Sequence, residues 1–178
     1  VADRVGLRAL LTFPVIDVET AWARDAESCI NRGLALRDRY RDHDRIEVGF
    51  GPHSTYMVSE HTLSRVAMLA EELDAPIQIH LHETREEVLN SVERLGMRPI
   101  DFLEQVGLLG PRTQCVHMTA LGDQDIATVA KHGAQVVHCP RSNLKLGSGI
   151  CPVQELMDHD INVALGTDGA ASNNRLSM

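Results

Sequence analysis

Apolar runs of strand length alternate along this chain with segments whose apolar residues recur every three or four positions. The first run extends from Val5 to Ile16 and gives way to Asp17. Residues 20–42 read as a helix, with Ala23, Ala26, Cys29, Ile30 and Leu34 on one face. Ile46–Phe50 is a second strand, leading into Gly51-Pro52-His53-Ser54. Ser59 is a helix cap for an amphipathic stripe of Leu63, Val66, Ala67, Ala70 and Leu73. Ile77–His82 is a third strand, followed by helices near 84–95 and 99–106. Gln114–Met118 is a fourth strand, and Asp123 caps the helix carrying Ile126, Val129 and Ala130. Ala134–Cys139 is a fifth, halted by Pro140. A polar loop is expected over 141–149, a short helix over 153–159, and a sixth strand at Ile161–Leu165.

Six strands alternating with helices imply parallel pairing and an α/β fold. No linker, repeat or low-complexity tract breaks the alternation, so residues 1–178 read as one domain. An open doubly wound sheet and a (β/α)8 TIM-type barrel both satisfy this order. Polar residues stand at the C-terminal end of nearly every strand: Asp17, His53, His80 with Glu83, His117, His138 and Asp168. A ring of such ends is where barrel enzymes build their sites, whereas an open sheet concentrates function at one switch point. The phosphate-binding glycine fingerprints of the open fold are missing. Barrels have eight strands and typically about 250 residues. An incomplete barrel, two strands short, is therefore expected.

The candidate chemistry starts at His80-Leu81-His82-Glu83. Strand alternation puts His80 and His82 on one side and Leu81 on the other. An inward His80 can bind zinc, and Glu83, just past the strand, can turn inward to carry a proton. Asp168 in Gly-Thr-Asp-Gly is either a ligand or a cap for the next helix. His117 and His138, taken singly, fit hydrogen-bonded core histidines as well as ligands. His53 fits a donor to substrate or a turn-stabilising residue. The ordered combination points to metal-assisted hydrolysis: imidazoles and a carboxylate hold an ion, and a second carboxylate moves the proton from water to the leaving group.

Composition narrows the classes. The formal charge of −8 argues against a general nucleic-acid binder. No apolar run approaches the ~20 residues of a membrane span, and no signal peptide opens the chain. Four cysteines without a CxxC pair suggest free thiols in a reducing cytoplasm. The first residue is Val1 and not methionine, which fits a fragment or a processed product.

The stretches Gly51-Pro52-His53-Ser54, Ile79-His80-Leu81-His82-Glu83-Thr84 and Val116-His117-Met118 resemble the amidohydrolase superfamily, in its nucleoside and nucleobase deaminase branch. The longer stretches, His138 to Gly149 and Gly166 to Asn174, are specific to that branch and resemble the 5'-methylthioadenosine/S-adenosylhomocysteine deaminases. The resemblance implies a barrel present here from about strand 3 to strand 8, with one Zn2+ per site bound by His80 and Asp168. It implies that Glu83 shuttles the proton, that His117 polarises the attacking water or the tetrahedral centre, and that His53 contacts the ribose or amino-acid tail of a small purine nucleoside. Glu83, His117 and Asp168 would be catalytic, and Glu83 and His117 would also touch substrate. The family takes two further zinc ligands from a His-x-His on the first barrel strand; the one His-x-His here, at His80 and His82, matches the fifth. The isolated chain is accordingly expected to bind zinc weakly and to turn over little substrate, and its unpaired strand edges to favour homo-oligomers. Guanine, 8-oxoguanine and triazine hydrolases share the metal plan and remain alternatives, as does an inactive barrel fragment.

Overall fold

A computed structural model describes residues 1–177. Its strands are β1 (Ala9–Val15), β2 (Ile46–Pro52), β3 (Ile77–Leu81), β4 (Thr113–His117), β5 (Gln135–His138) and β6 (Val163–Leu165). The helices are α1 (Ala26–Arg39), α2 (Glu60–Glu72), α3 (Arg85–Leu95), α4 (Pro99–Gln105), α5 (Asp123–His132), α6 (Pro140–Leu146) and α7 (Val153–Asp158). Strand order follows chain order, and the registered pairs are parallel. Helical crossovers between successive parallel strands produce this order. The chain divides into two compact units, Val1–Gln78 and Ile79–Met178.

In the first unit, β1 and β2 pair over their full lengths, Ala9 opposite Ile46 through Val15 opposite Pro52. The rings of Phe13 and Phe50 meet at 4.8 Å. Gly33 of α1 lies so close to Phe13 that a Cβ there would fall 2.2 Å from the ring, so no side chain is tolerated. Helix α1 is shorter than the apolar spacing suggests. Asp25 is extended and accepts the Ser28 N–H at 2.7 Å, which starts the helix at Ala26. Before it, the Thr20 hydroxyl accepts the amides of Trp22 and Ala23 in a non-helical turn. The first apolar run is likewise split: a single 3-10 turn at Asp3–Val5 ends at left-handed Gly6, and β1 begins at Ala9. Ser59 caps α2 as expected, accepting from the Thr62 N–H.

In the second unit, β4, β5 and β6 pair in parallel around buried Cys115, Val136, Met118 and Leu156. All four cysteines of the chain are free and buried, and burial pushes the Cys115 thiol up to about 12. Thr84 caps α3 and left-handed Gly96 ends it. Gly122, not Asp123, is the N-cap of α5; Asp123 is the first helical residue, and the Asp125 carboxylate accepts the Gly122 N–H at 2.6 Å. The expected polar loop after Pro140 is instead the helix α6. Proline at its first position has a φ already set for a helix, and left-handed Gly147 closes it.

Candidate active site

The site is built in the second unit from the ends of β3, β4 and β6 and from α6. Strand β3 alternates buried and half-buried residues up to Leu81. His82 then takes a left-handed φ of 50°, which ends the alternation. The expectation that His80 and His82 share a strand face is therefore wrong. His82 is fully buried; its Nδ1 lies 2.9 Å from the Ala120 carbonyl and its Nε2 accepts the Ile100 N–H at 3.1 Å. That pairing requires a neutral ring with the proton on Nδ1, and burial holds His82 below its usual pKa. His82 is thus committed to structure.

His80 stacks on His117, with ring centroids 5.4 Å apart and planes 26° from parallel. His117 ends β4 and is 1% exposed. Both His117 and Met118 have positive φ, 79° and 51°, a rare backbone conformation that turns the imidazole away from the strand's alternation. Nδ1 of His117 lies 2.8 Å from Asn143 Oδ1, and its Nε2 lies 3.8 Å from Glu83 Oε2. The Glu83 backbone is pinned at both ends: its N–H donates to Glu87 Oε2 at 2.6 Å and its carbonyl accepts the Thr119 hydroxyl at 2.6 Å. Ser148 donates to Glu83 Oε1 at 3.3 Å. Glu87 is itself held above the ordinary carboxylate range by burial, against the N–H groups it accepts from Glu83 and His82.

Asp168 follows β6 at a left-handed φ of 59°. Its Oδ2 accepts hydroxyls from Ser142 at 2.6 Å and Ser172 at 2.7 Å, and its Oδ1 accepts the Gly169 N–H at 2.7 Å. Burial alone raises its pKa, but these hydrogen bonds and nearby His117 outweigh it and hold the carboxyl below its usual value. His138 ends β5; burial first, then His117, lower its pKa, and its Nδ1 is buried with no hydrogen-bond partner among the described residues.

The structure brings together His80, Glu83 and His117, and holds Asp168 through α6. His53 belongs to the first unit, where its Nδ1 lies 3.1 Å from Ser54 Oγ and its ring meets Tyr56 edge-on. Asp17, which its strand-end position places on the rim, instead serves the start of α2. Its carboxylate accepts the Ser59 N–H at 2.5 Å and the Thr62 hydroxyl at 2.9 Å. Ser142, Asn143, Ser148 and Ser172 carried no assigned chemistry in the sequence. Their signal was a polar run that reads as loop, and only its folding into α6 and the adjoining turns shows what they touch.

The amidohydrolase family's sequence profile matches residues 1–178. The chain belongs to the amidohydrolase family. It is 55% identical over 177 residues to the 5-methylthioadenosine/S-adenosylhomocysteine deaminase of Saccharophagus degradans, matching 99% of this chain and 40% of that protein. It is 42% identical over 174 residues to the 5'-deoxyadenosine deaminase of Methanothrix thermoacetophila, matching 98% of this chain and 40% of that one. A zinc-bound adenosine deaminase from Xanthomonas campestris superposes with a TM-score of 0.95 and 44% identity, over 98% of this chain and 40% of that structure. The chain therefore spans about 40% of the length of the relatives it matches and corresponds to part of an amidohydrolase barrel, as its strand count suggests.

Imidazole nitrogen and carboxylate oxygen are donors that zinc accepts. His80 and Asp168 supply one of each, so the chemistry of this amidohydrolase's site fits the ion. Among the described residues, however, no group of three or more His, Cys, Asp or Glu side chains is spaced to hold a metal. Among the described residues, no helix is long and apolar enough to cross a membrane.

Proposed function

We propose that this amidohydrolase chain forms part of a zinc-dependent hydrolytic deaminase acting on an adenosine-type nucleoside, 5'-methylthioadenosine or S-adenosylhomocysteine. The observation that carries this reading is the approach of Glu83 Oε2 to within 3.8 Å of His117 Nε2, beside a stacked His80. The names of the relatives at 55% and 42% identity support the substrate class.

His80 and Asp168 would hold the zinc, with further ligands coming from outside these 178 residues. Zinc supplies Lewis acidity that brings the ionisation of water down towards pH ~7. Glu83 takes the proton from the attacking water and returns it to the departing amine, which leaves as ammonia. Its tethered backbone and its Ser148 contact keep that carboxylate at one place during both transfers. His117 polarises the attacking water or hydrogen-bonds the oxygen added at the tetrahedral carbon. His53 contacts the ribose or the substrate's tail.

The test is ammonia release by the full-length protein, loaded with zinc, from 5'-methylthioadenosine, S-adenosylhomocysteine, 5'-deoxyadenosine, guanine and a triazine. Turnover confined to the adenosine compounds supports the proposal; preference for guanine or the triazine replaces it with a related hydrolase. The 178-residue chain alone should bind zinc weakly and turn over little, and tight stoichiometric zinc with turnover would refute that part. Size-exclusion chromatography of the chain should show self-association through open strand edges, and a clean monomer would count against it.

A further inference from the structure

The groups proposed to react come from three different segments, yet all are held by one. Ser142 of α6 donates to Asp168 beyond β6, the adjacent Asn143 faces His117 at the end of β4, and Ser148, just past the helix, donates to Glu83 beyond β3. The topology explains how one short helix reaches so far. Helix α6 follows β5, and β5 pairs with β4 on one side and β6 on the other. Successive residues on a helix point about 100° apart. Neighbouring side chains can therefore reach opposite flanking strands.

The helix is built to hold that geometry. Ser142 and Asn143 are 0% and 1% exposed, so their rotamers are locked by their surroundings. Asn143 N–H donates to Cys139 O at 2.9 Å, and Ser148 N–H donates to Asn143 O at 2.9 Å, tying both ends of the turn. Gly149 has φ 135°, and a Cβ there would fall 2.8 Å from Thr119 Oγ1, the hydroxyl that also binds the Glu83 carbonyl. The chain past the helix thus passes against the backbone support of Glu83 with no room for a side chain.

We propose that α6 and its cap are the positioning element of the site, with Asn143 as its most consequential residue. The oxygen of Asn143 faces Nδ1 of His117, which makes Nδ1 the protonated nitrogen and leaves the lone pair on Nε2, on the Glu83 side. Asn143 thereby fixes the tautomer in which His117 can accept a proton or a hydrogen bond at the reacting side. Ser142 holds Asp168 by one oxygen, so its orientation towards a metal is set before the metal arrives. The inference rests on Glu83, His117 and Asp168 being the reacting groups, and its test separates the two.

The test uses the full-length protein in three forms: wild type, Asn143→Ala and Asn143→Asp. Long-range 15N NMR of the metal-free wild type reads the His117 tautomer without any need for activity; protonated Nδ1 is expected. In the zinc-loaded enzyme, Asn143→Ala should lower kcat for 5'-methylthioadenosine by about 10–100-fold with KM nearly unchanged. Asn143→Asp keeps an oxygen facing Nδ1 and should recover most of that loss. Ser142→Ala should weaken zinc binding by about 10-fold or more, read by competition with a chelator. A wild-type spectrum with protonated Nε2 overturns the proposal, even if Asn143→Ala does not fold. So does kcat within about twofold of wild type in a folded Asn143→Ala enzyme. If the full-length protein deaminates nothing, the functional reading fails while the tautomer and zinc measurements still decide the role of α6.

Discussion

Two polar networks lie in the second unit, and they differ in how completely they are satisfied. Around His82 every strong group is used. Both ring nitrogens have partners, Arg98 grips both oxygens of Asp125 at 2.7 and 2.5 Å, and Asp125 also accepts the Gly122 N–H. Asp125 is 2% exposed and both of its oxygens are taken, so this ion pair is a structural fixture. Around His117 the pattern is different. Its groups are oriented by neighbours yet keep capacity to spare, and the buried Nδ1 of His138 and Nδ2 of Asn143 have no hydrogen-bond partner among the described residues. Saturated networks specify a fold, whereas oriented but unsaturated ones are where chemistry can enter.

The largest effects should separate the two networks by what they damage. In the full-length enzyme Glu83→Gln should lower kcat by about 10²–10⁴-fold, as for other general acid–base groups, with an unchanged melting temperature. A substantial fall in melting temperature would instead place Glu83 among the structural residues. Asp125→Ala should do the reverse. It strands Arg98 next to a buried gap and should cost roughly 3 kcal/mol, the low end for a broken buried pair because the Arg98 side chain is 37% exposed. Denaturant unfolding reads this loss, and the activity of the molecules that remain folded should be preserved.

His82 sharpens the comparison through pH. Its folded pKa lies below the unfolded value near 6.5, so the unfolded chain binds more protons as pH falls through that value. The stability His82 contributes is present above about pH 6.5 and is lost progressively below it, towards the folded pKa. His82→Leu should remove that dependence and cost roughly 1–3 kcal/mol at neutral pH, by leaving the Ile100 N–H and the Ala120 carbonyl without their ring partners. Stability measured between about pH 5 and pH 8 tests both statements, and an unchanged pH slope in the variant would assign the dependence elsewhere. The smallest effect belongs to Thr119, whose hydroxyl donates to the Glu83 carbonyl with the Ser148 carbonyl 3.1 Å away. Thr119→Val should cost about 1 kcal/mol of stability by calorimetry.

The alternation of strand and helix, the cap at Ser59, and the presence of His80, Glu83, His117 and Asp168 at strand ends were legible in the order of residues, because periodicity and capping are local. The start of α1 was not, since apolar spacing continues back to Ala23 while Asp25 and Thr20 stop the helix through their side chains. Helix α6 was also hidden. A run as polar as Arg141-Ser142-Asn143 reads as loop when nothing shows that its hydroxyl and amide are buried against groups from other strands.

Residue order is enough to establish which side-chain types could react and on which strand ends they stand. Folding is what selects between two nearby histidines. His80 and His82 differ by two positions, and alternation would treat them alike. A left-handed turn at His82 sends that ring into a saturated interior, and two more at His117 and Met118 set the other imidazole against His80. Such turns have little sequence signature outside glycine, because the conformation is imposed by the packing and hydrogen bonds of distant elements and not by the residue that adopts it.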